Sequence, residues 1–290
     1  MVNTRDSARA PRILFVTHPE QNCGVADYGL RVFNILARFT WNITLCQAGK
    51  QSDIDCTGYD IVLYNYHYAT LPFLTAKQQP GVKHVALFHE AFMNFEPDVI
   101  IPVTDLPRPL FDNVDFERHD NVIPIIGSFG FGFPDKNFPG LCQIVKEQFE
   151  YAKVKLLIPF AQYGDANGDL ARGEAEKCRA VLEGSNIRLD IQHDFRPAIN
   201  MLYWLSYNDI NVFNYAPSCG RGLSSATDYA LSVRRPIAVS NSEMFRHLPA
   251  AICLDKISIP ELIILGVQPL RQVYDDNSNA RLVEKIKSYL

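Results

Sequence analysis

The sequence predicts an α/β protein of two domains, each built on a parallel sheet with helices packed against it. Three observations carry this. Continuous apolar runs such as Ile13-Leu14-Phe15-Val16-Thr17 have the signature of strands buried on both faces. In the second half these runs alternate regularly with segments of helical periodicity, the rhythm of βα units. Between the halves, Thr104–Val122 holds two prolines and seven charged residues, a composition that suits an interdomain linker.

Taken in order, the first ten residues are polar and read as a disordered lead-in without the apolar core of a signal peptide. The opening strand is followed from Gly24 by a helix, because Val25, Tyr28, Val32, Ile35, Leu36 and Phe39 recur at about 3.6-residue spacing. Asn22 is the expected N-cap of that helix. Further strands are expected at Ile43–Cys46, Asp60–Tyr64, Val82–Phe88 and Val99–Val103, with few long helices among them, so this half is loop-rich. Beyond the linker, strands fall near Ile123–Ser128, Lys155–Ile158, Ile187–Ile191, Asp209–Asn214, Pro236–Ser240 and Ile252–Leu254. Helices are expected at Pro139–Tyr151, Asp169–Leu182, Pro197–Leu205, Leu223–Val233 and Ile259–Leu265. Leu282, Ile286 and Leu290 at four-residue spacing mark a terminal helix over Ala280–Leu290. The domains are therefore drawn as 11–118 and 119–290, the second including the terminal helix.

Composition narrows the function. The chain has 290 residues, enough for two modest cores, and is 47% hydrophobic and 21% charged, as ordinary globular proteins are. Its net charge of -4 gives no electrostatic footprint for nucleic acid. Seven scattered cysteines without a C-x-x-C spacing suit a reducing, cytoplasmic setting. No apolar run reaches the length of a membrane span. Asn42-Ile43-Thr44 fits a glycosylation sequon, which without a secretion signal reads as a chance match.

Five stretches sit where an open parallel sheet binds ligands, at strand carboxyl ends. Cys219-Gly220-Arg221-Gly222-Leu223-Ser224-Ser225 leads from a strand into a helix. Main-chain N–H groups, two serine hydroxyls and Arg221 would there form a cradle for an anion. Asp228, one turn in, either meets a ligand or simply complements the positive helix start. Cys219 lacks a partnered His with Asn or Asp and reads as a small buried residue rather than a nucleophile. The glycine-rich Ile125–Lys136 stretch contains Ser128 and ends on Lys136, a point charge suited to phosphate or else a solvated turn lysine. His89, in Leu87-Phe88-His89-Glu90, follows an apolar strand and is either a ligand contact or a core-edge histidine satisfied by backbone. Cys23-Gly24-Val25-Ala26-Asp27-Tyr28 places Gly24 where a backbone could approach a ligand closely, or where a tight turn is needed. In Gln192-His193-Asp194-Phe195, His193 or Phe195 could stack on a nucleobase, or the segment could be a plain turn.

Asp53-Ile54-Asp55 is the only D-x-D and lies far from these stretches, so it reads as a solvated loop. No His/Cys/Asp cluster has metal-ligand spacing, no Walker motif is present, and no G-x-G-x-x-G follows the first strand. These points count against a metal centre, an NTPase and a dinucleotide-dependent dehydrogenase or epimerase.

In their order along the chain, Cys219-Gly220-Arg221-Gly222-Leu223, Asp228 and Pro236-Ile237-Ala238-Val239-Ser240 resemble the donor-binding region of GT-B glycosyltransferases. The likeness is to the large retaining family, glycosyltransferase family 4 (group 1), which reads E-G-x-G-L…E-A…G-x-P-V-x-A-S. Cys219 stands for the first glutamate, Asp228 for the second, and Phe131 for an arginine five residues before Lys136. The resemblance implies two Rossmann-like domains facing across a cleft, with an unusually compact N-terminal acceptor domain. The cleft would be lined by Gly24, His89, Lys136 and residues 221–225. It implies transfer of a sugar from a nucleotide-sugar donor to a glycan, lipid-linked or small-molecule acceptor, with retention and without metal. Catalysis would fall to His89, Lys136 and Arg221. Donor binding would fall to Gly24, Ser128, Lys136, His193, Arg221, Gly222, Leu223, Ser224, Ser225 and Asp228, with Asp228 on a ribose diol. Peripheral membrane association is compatible with such a role; nucleic acid is not a partner. The alternative is a non-catalytic glycan- or nucleotide-binding relative of the same fold.

Overall fold

A computed structural model of the chain describes residues 9–290 apart from 20–22, 40, 75–79, 90–91, 113, 118–120, 163 and 218–221. The chain divides into two units, one running to Pro109 and taking up Asn279–Leu290, the other spanning Leu110–Ser278.

The first unit holds a five-stranded parallel sheet of β1 (Arg12–Thr17), β2 (Asn42–Gln47), β3 (Ile61–Tyr66), β4 (Lys83–Phe88) and β5 (Val99–Pro102), in the order β2-β1-β3-β4-β5. All six residues of β3 are buried, as a strand covered on both faces requires. The period of two sorts them. Ile13, Phe15, Ile61 and Leu63 face helix α1 (Gly24–Arg38), while Leu14, Val16, Val62, Tyr64 and Tyr66 meet Leu71, Leu74 and Phe95 from irregular segments. The N-cap of α1 is Cys23, in an extended conformation, and Asn22 lies outside the described residues.

The second unit repeats the plan with more helix. Its strands are β6 (Ile125–Phe129), β7 (Ala152–Leu157), β8 (Ile187–Gln192), β9 (Ile210–Phe213) and β10 (Ile237–Val239), ordered β10-β9-β6-β7-β8 and all parallel. Helices α2 (Phe138–Gln148), α3 (Asp169–Leu182), α4 (Ala198–Ser206), α5 (Ala226–Ser232), α6 (Ile259–Leu265) and α7 (Arg271–Asp276) accompany them. The amides of Leu170 and Ala171 at the start of α3 donate to the Asp165 carboxylate at 2.9 and 3.0 Å, which satisfies that helix terminus from within the protein.

Other expectations change as well. The strand at Ile252–Leu254 is a single bridge between Val239 and Cys253. The amides of Ile252 and Cys253 close a turn onto Pro249 and Ala250, so only Leu254 is left to donate to Val239. Helix α5 starts at Ala226 instead of Leu223, and in the loop before it the Ser224 amide donates to the Met244 carbonyl at 3.1 Å. Helix α7 was not expected.

The terminal helix, α8 (Asn279–Lys287), expected in the second domain, belongs to the first unit. Its Leu282, Val283 and Ile286 complete the core around α1, and the Lys83 ammonium donates to the Tyr289 and Leu290 carbonyls at 3.0 and 2.8 Å.

Candidate functional site

Each sheet reverses its strand order once, and there the loops of two neighbouring strands diverge and leave room for a ligand. In the first unit the reversal falls between β1 and β3, in the second between β6 and β9. Most of the polar residues of interest lie beside these two places, while His193 follows the edge strand β8.

In the second unit, Lys136 ends a short turn after β6 and Tyr215 lies two residues beyond β9. The Lys136 ammonium sits 3.9 Å from the centre of the Tyr215 ring and 3.8 Å from the Asp135 carboxylate. Its stem runs past Gly130, where an added Cβ would lie 3.7 Å from Cδ. Tyr215 is held in turn: Ser240 donates to its carbonyl at 2.6 Å, and the Ser224 hydroxyl meets its phenol at 3.3 Å. The Ala216 amide donates to the Asp135 carbonyl at 2.8 Å, locking the two loops together. Lys136 and Ser224 thus share one neighbour, Tyr215, which the sequence reading had not singled out.

The remaining donor-side residues divide by exposure. Gly222, Leu223 and Ser225 are half-buried on the loop into α5. Ser225 is the N-cap of that helix but makes no side-chain cap bond. Ser128 and Asp228 are buried, Asp228 completely, so contact with a ligand would require either side chain to leave the interior. Ser224 is also buried, and both its amide and its hydroxyl already have protein partners. The expected cradle of main-chain N–H groups and two serine hydroxyls is thus partly consumed by the fold itself. Arg221, Gly220 and Cys219 lie outside the described residues. His193 follows β8, where its Nδ1 donates to the Ile158 carbonyl at 2.8 Å and its ring lies 5.5 Å from that of Phe160.

In the first unit, Gly24 is exposed as the first residue of α1. His89 follows β4, with its amide donating to the Tyr66 carbonyl at 3.1 Å, and Glu90 lies outside the described residues. The imidazole Nε2 is 2.6 Å from Asn65 Oδ1, and the Tyr28 ring meets it edge-on with centroids 4.9 Å apart. Asn65 Nδ2 donates to Thr17 Oγ1 at 2.9 Å and to the Val25 carbonyl at 2.8 Å. Burial lowers the His89 pKa to about 3, and the nearby His67 and Arg108 push it the same way, so the ring is neutral. The guanidinium of Arg108 lies 5.2 Å from the centre of the Tyr28 ring.

Asn65, Thr17 and Arg108 escaped the sequence reading. The signal for Asn65 was present: one amide side chain inside the otherwise apolar and aromatic Ile61–Tyr66 run. Among the described residues, no three His, Cys, Asp or Glu side chains come together as a metal-ligand set, and no helix is long and apolar enough to cross a membrane.

No protein-family model and no curated protein sequence matches the chain. Solved structures match it over nearly its full length. A glycosyltransferase from Rickettsia africae ESF-5 aligns over 97% of this chain and 98% of its own, at 10% identity and a TM-score of 0.63. HepE of Anabaena, solved with UDP and glucose, aligns over 96% and 98%, at 9% identity and a TM-score of 0.57. An alpha-glucosyltransferase in complex with UDP aligns over 97% and 96%, at 12% identity and 0.54. The fold is therefore that of GT-B glycosyltransferases, α/β with two parallel-sheet, Rossmann-like units. At these identities the likeness is one of fold.

Proposed function

We propose that the chain is a glycosyltransferase that moves a sugar from a nucleotide-sugar donor to a glycan, lipid-linked or small-molecule acceptor. The observation that carries this is the Lys136–Tyr215–Ser224 group, placed at the strand-order reversal of the second unit in a GT-B fold. A cation held on an aromatic face, with a flexible stem, is suited to a diphosphate whose charge grows as the glycosidic bond breaks. Arg221 supplies the second positive charge in this reading, in place of the arginine that Phe131 displaces. The neutral imidazole of His89 serves the sugar as a hydrogen-bonding group. The reading requires no metal, follows the retaining family in stereochemistry, and takes the first unit as the acceptor side.

One set of observations favours a second reading, in which the protein binds a nucleotide sugar or glycan without turning it over. Cys219 stands where the resembling family has a glutamate, and Phe131 where it has the arginine that precedes Lys136.

A panel of nucleotide sugars separates the two readings. Binding to the native state raises the melting temperature, with about 2.7 kcal/mol of stabilisation at a hundredfold excess over Kd. A thermal shift accompanied by release of nucleoside diphosphate supports the transferase. A shift without transfer or hydrolysis across a broad acceptor panel supports the binding module. Absence of any shift across the panel refutes the transferase and the nucleotide-sugar form of the binding module.

A further inference from the structure

We propose that Asn65 is the positioning residue of the first unit: it holds His89 in the tautomer protonated on Nε2, which leaves Nδ1 as the ring's only hydrogen-bond acceptor. The use of that acceptor by a substrate hydroxyl rests on the glycosyltransferase reading; the tautomer does not.

The assignment follows from which atoms can donate. The Val25 carbonyl can only accept, so the Asn65 atom 2.8 Å from it must be the amide nitrogen. The same nitrogen donates to Thr17 Oγ1, which uses its second proton. The amide oxygen is therefore the atom 2.6 Å from His89, and since an amide oxygen cannot donate, Nε2 carries the proton. A neutral imidazole has one N–H, so Nδ1 holds a lone pair.

Turning the amide over would set its oxygen about where the nitrogen now meets the Val25 carbonyl, two acceptors with no proton between them. Asn65 is completely buried, and a Cβ on Gly29 would collide with its amide. Thr17, Val25 and His89 come from the end of β1, the start of α1 and the end of β4, so one β3 side chain ties together three elements at the strand-order reversal. Tyr28 packs edge-on against the imidazole and fixes its plane. Among the described residues, the titratable and charged groups near the ring include His67 after β3, Arg108, and Tyr28 of α1, with Arg31 close to Tyr28 in turn.

Long-range proton–nitrogen NMR correlations of histidine-labelled protein report which ring nitrogen is protonated. The chain has seven histidines, so His89→Gln identifies the His89 signals by their loss. Wild-type protein is expected to show a pure Nε2–H tautomer that does not titrate between about pH 5 and 8. Asn65→Asp places a carboxylate against Nε2 and should raise the His89 pKa by roughly 1–3 units. A wild-type Nδ1–H form or a mixture of tautomers overturns the proposal, as does an unchanged His89 pKa in folded Asn65→Asp. Should the buried carboxylate prevent folding, Asn65→Ala takes its place. Its His89 is expected to become a mixture of tautomers, and a retained pure Nε2–H form overturns the proposal. None of these measurements involves substrate, so their outcome is independent of whether sugar transfer is found.

Discussion

Replacing Lys136 with methionine isolates the charge assigned to the donor diphosphate. The stem that passes Gly130 keeps its length, and the Tyr215 ring keeps an apolar neighbour. For the free protein the losses are small. An ammonium 3.9 Å from the ring centre contributes about 0.5–2 kcal/mol, offset by removing a charge whose side chain is only 13% exposed. The 3.8 Å approach to Asp135 adds about 0–1 kcal/mol. These contributions add to at most about 3 kcal/mol, and the offset makes the net loss of stability smaller than that. A bound diphosphate, by contrast, loses a charge-assisted contact of about 1.5–3 kcal/mol, which is roughly ten- to over a hundredfold in affinity. Isothermal calorimetry with UDP and other nucleoside diphosphates at two salt concentrations measures this, and the variant should also show a shallower salt dependence. Tyr215→Phe is the control: it removes a 3.3 Å contact to Ser224 but keeps the ring under the ammonium, and should change affinity less than about threefold. Unchanged diphosphate affinity in Lys136→Met, with an unchanged melting temperature, would refute the assignment.

Three further outcomes test the surrounding structure. His89 has a folded pKa of about 3, below the 6.5 of an unperturbed histidine, so the unfolded chain takes up the proton first. Its contribution to stability is complete above about pH 6.5 and is lost as pH falls toward about 3, at up to about 1.4 kcal/mol per pH unit. His89→Gln should flatten the acid limb of the urea midpoint against pH, and an identical slope would contradict the burial argument. Asp165→Ala removes the carboxylate that accepts from the Leu170 and Ala171 amides, and should lower unfolding free energy by about 1–2 kcal/mol; a smaller loss would mean water caps α3 equally well. At Gly127 an added Cβ would run into the Asn208 side chain, so Gly127→Ala should cost about 1–3 kcal/mol. Combining it with Asn208→Ala should recover part of that loss, and strictly additive effects would show that the two positions do not interact.

The sheets were legible because parallel strands announce themselves as unbroken apolar runs, and ten of the eleven expected strands form. The eleventh failed for a local reason. Pro249 and Ala250 accept the amides of Ile252 and Cys253, a competition that apolar periodicity does not register. The terminal helix had the right period, but its partner was invisible, since nothing in Leu282, Val283 and Ile286 says which of two cores they complete. Among the site residues, those flagged by glycine or charge at a strand end, such as Lys136 and His89, do sit at the carboxyl ends of the sheets. Asn65 is visible as the one amide in an apolar and aromatic strand, but its partners Thr17 and His89 are not; Tyr215 lay beyond reach because its significance is a contact with Lys136, far along the chain.

The two units resolve the same geometric problem with different chemistry, and that difference bears on how each would act on a substrate. A strand-order reversal opens a gap between two loops, and something must fill it without leaving buried polar atoms unpaired. In the first unit the filler is an amide whose hydrogen bonds are directional, so the imidazole it holds is fixed in tautomer and plane. In the proposed function such a group would distinguish between small displacements of a bound atom, and its effect would fall in kcat. In the second unit the filler is an aromatic ring, and the cation on its face is held by a field that varies gently with position. In the proposed function that cation would follow a diphosphate as its charge grows, so its loss would weaken the ground state and, more strongly, the transition state. Perturbing the first unit should therefore cost rate at nearly constant KM, whereas perturbing Lys136 should raise KM as well.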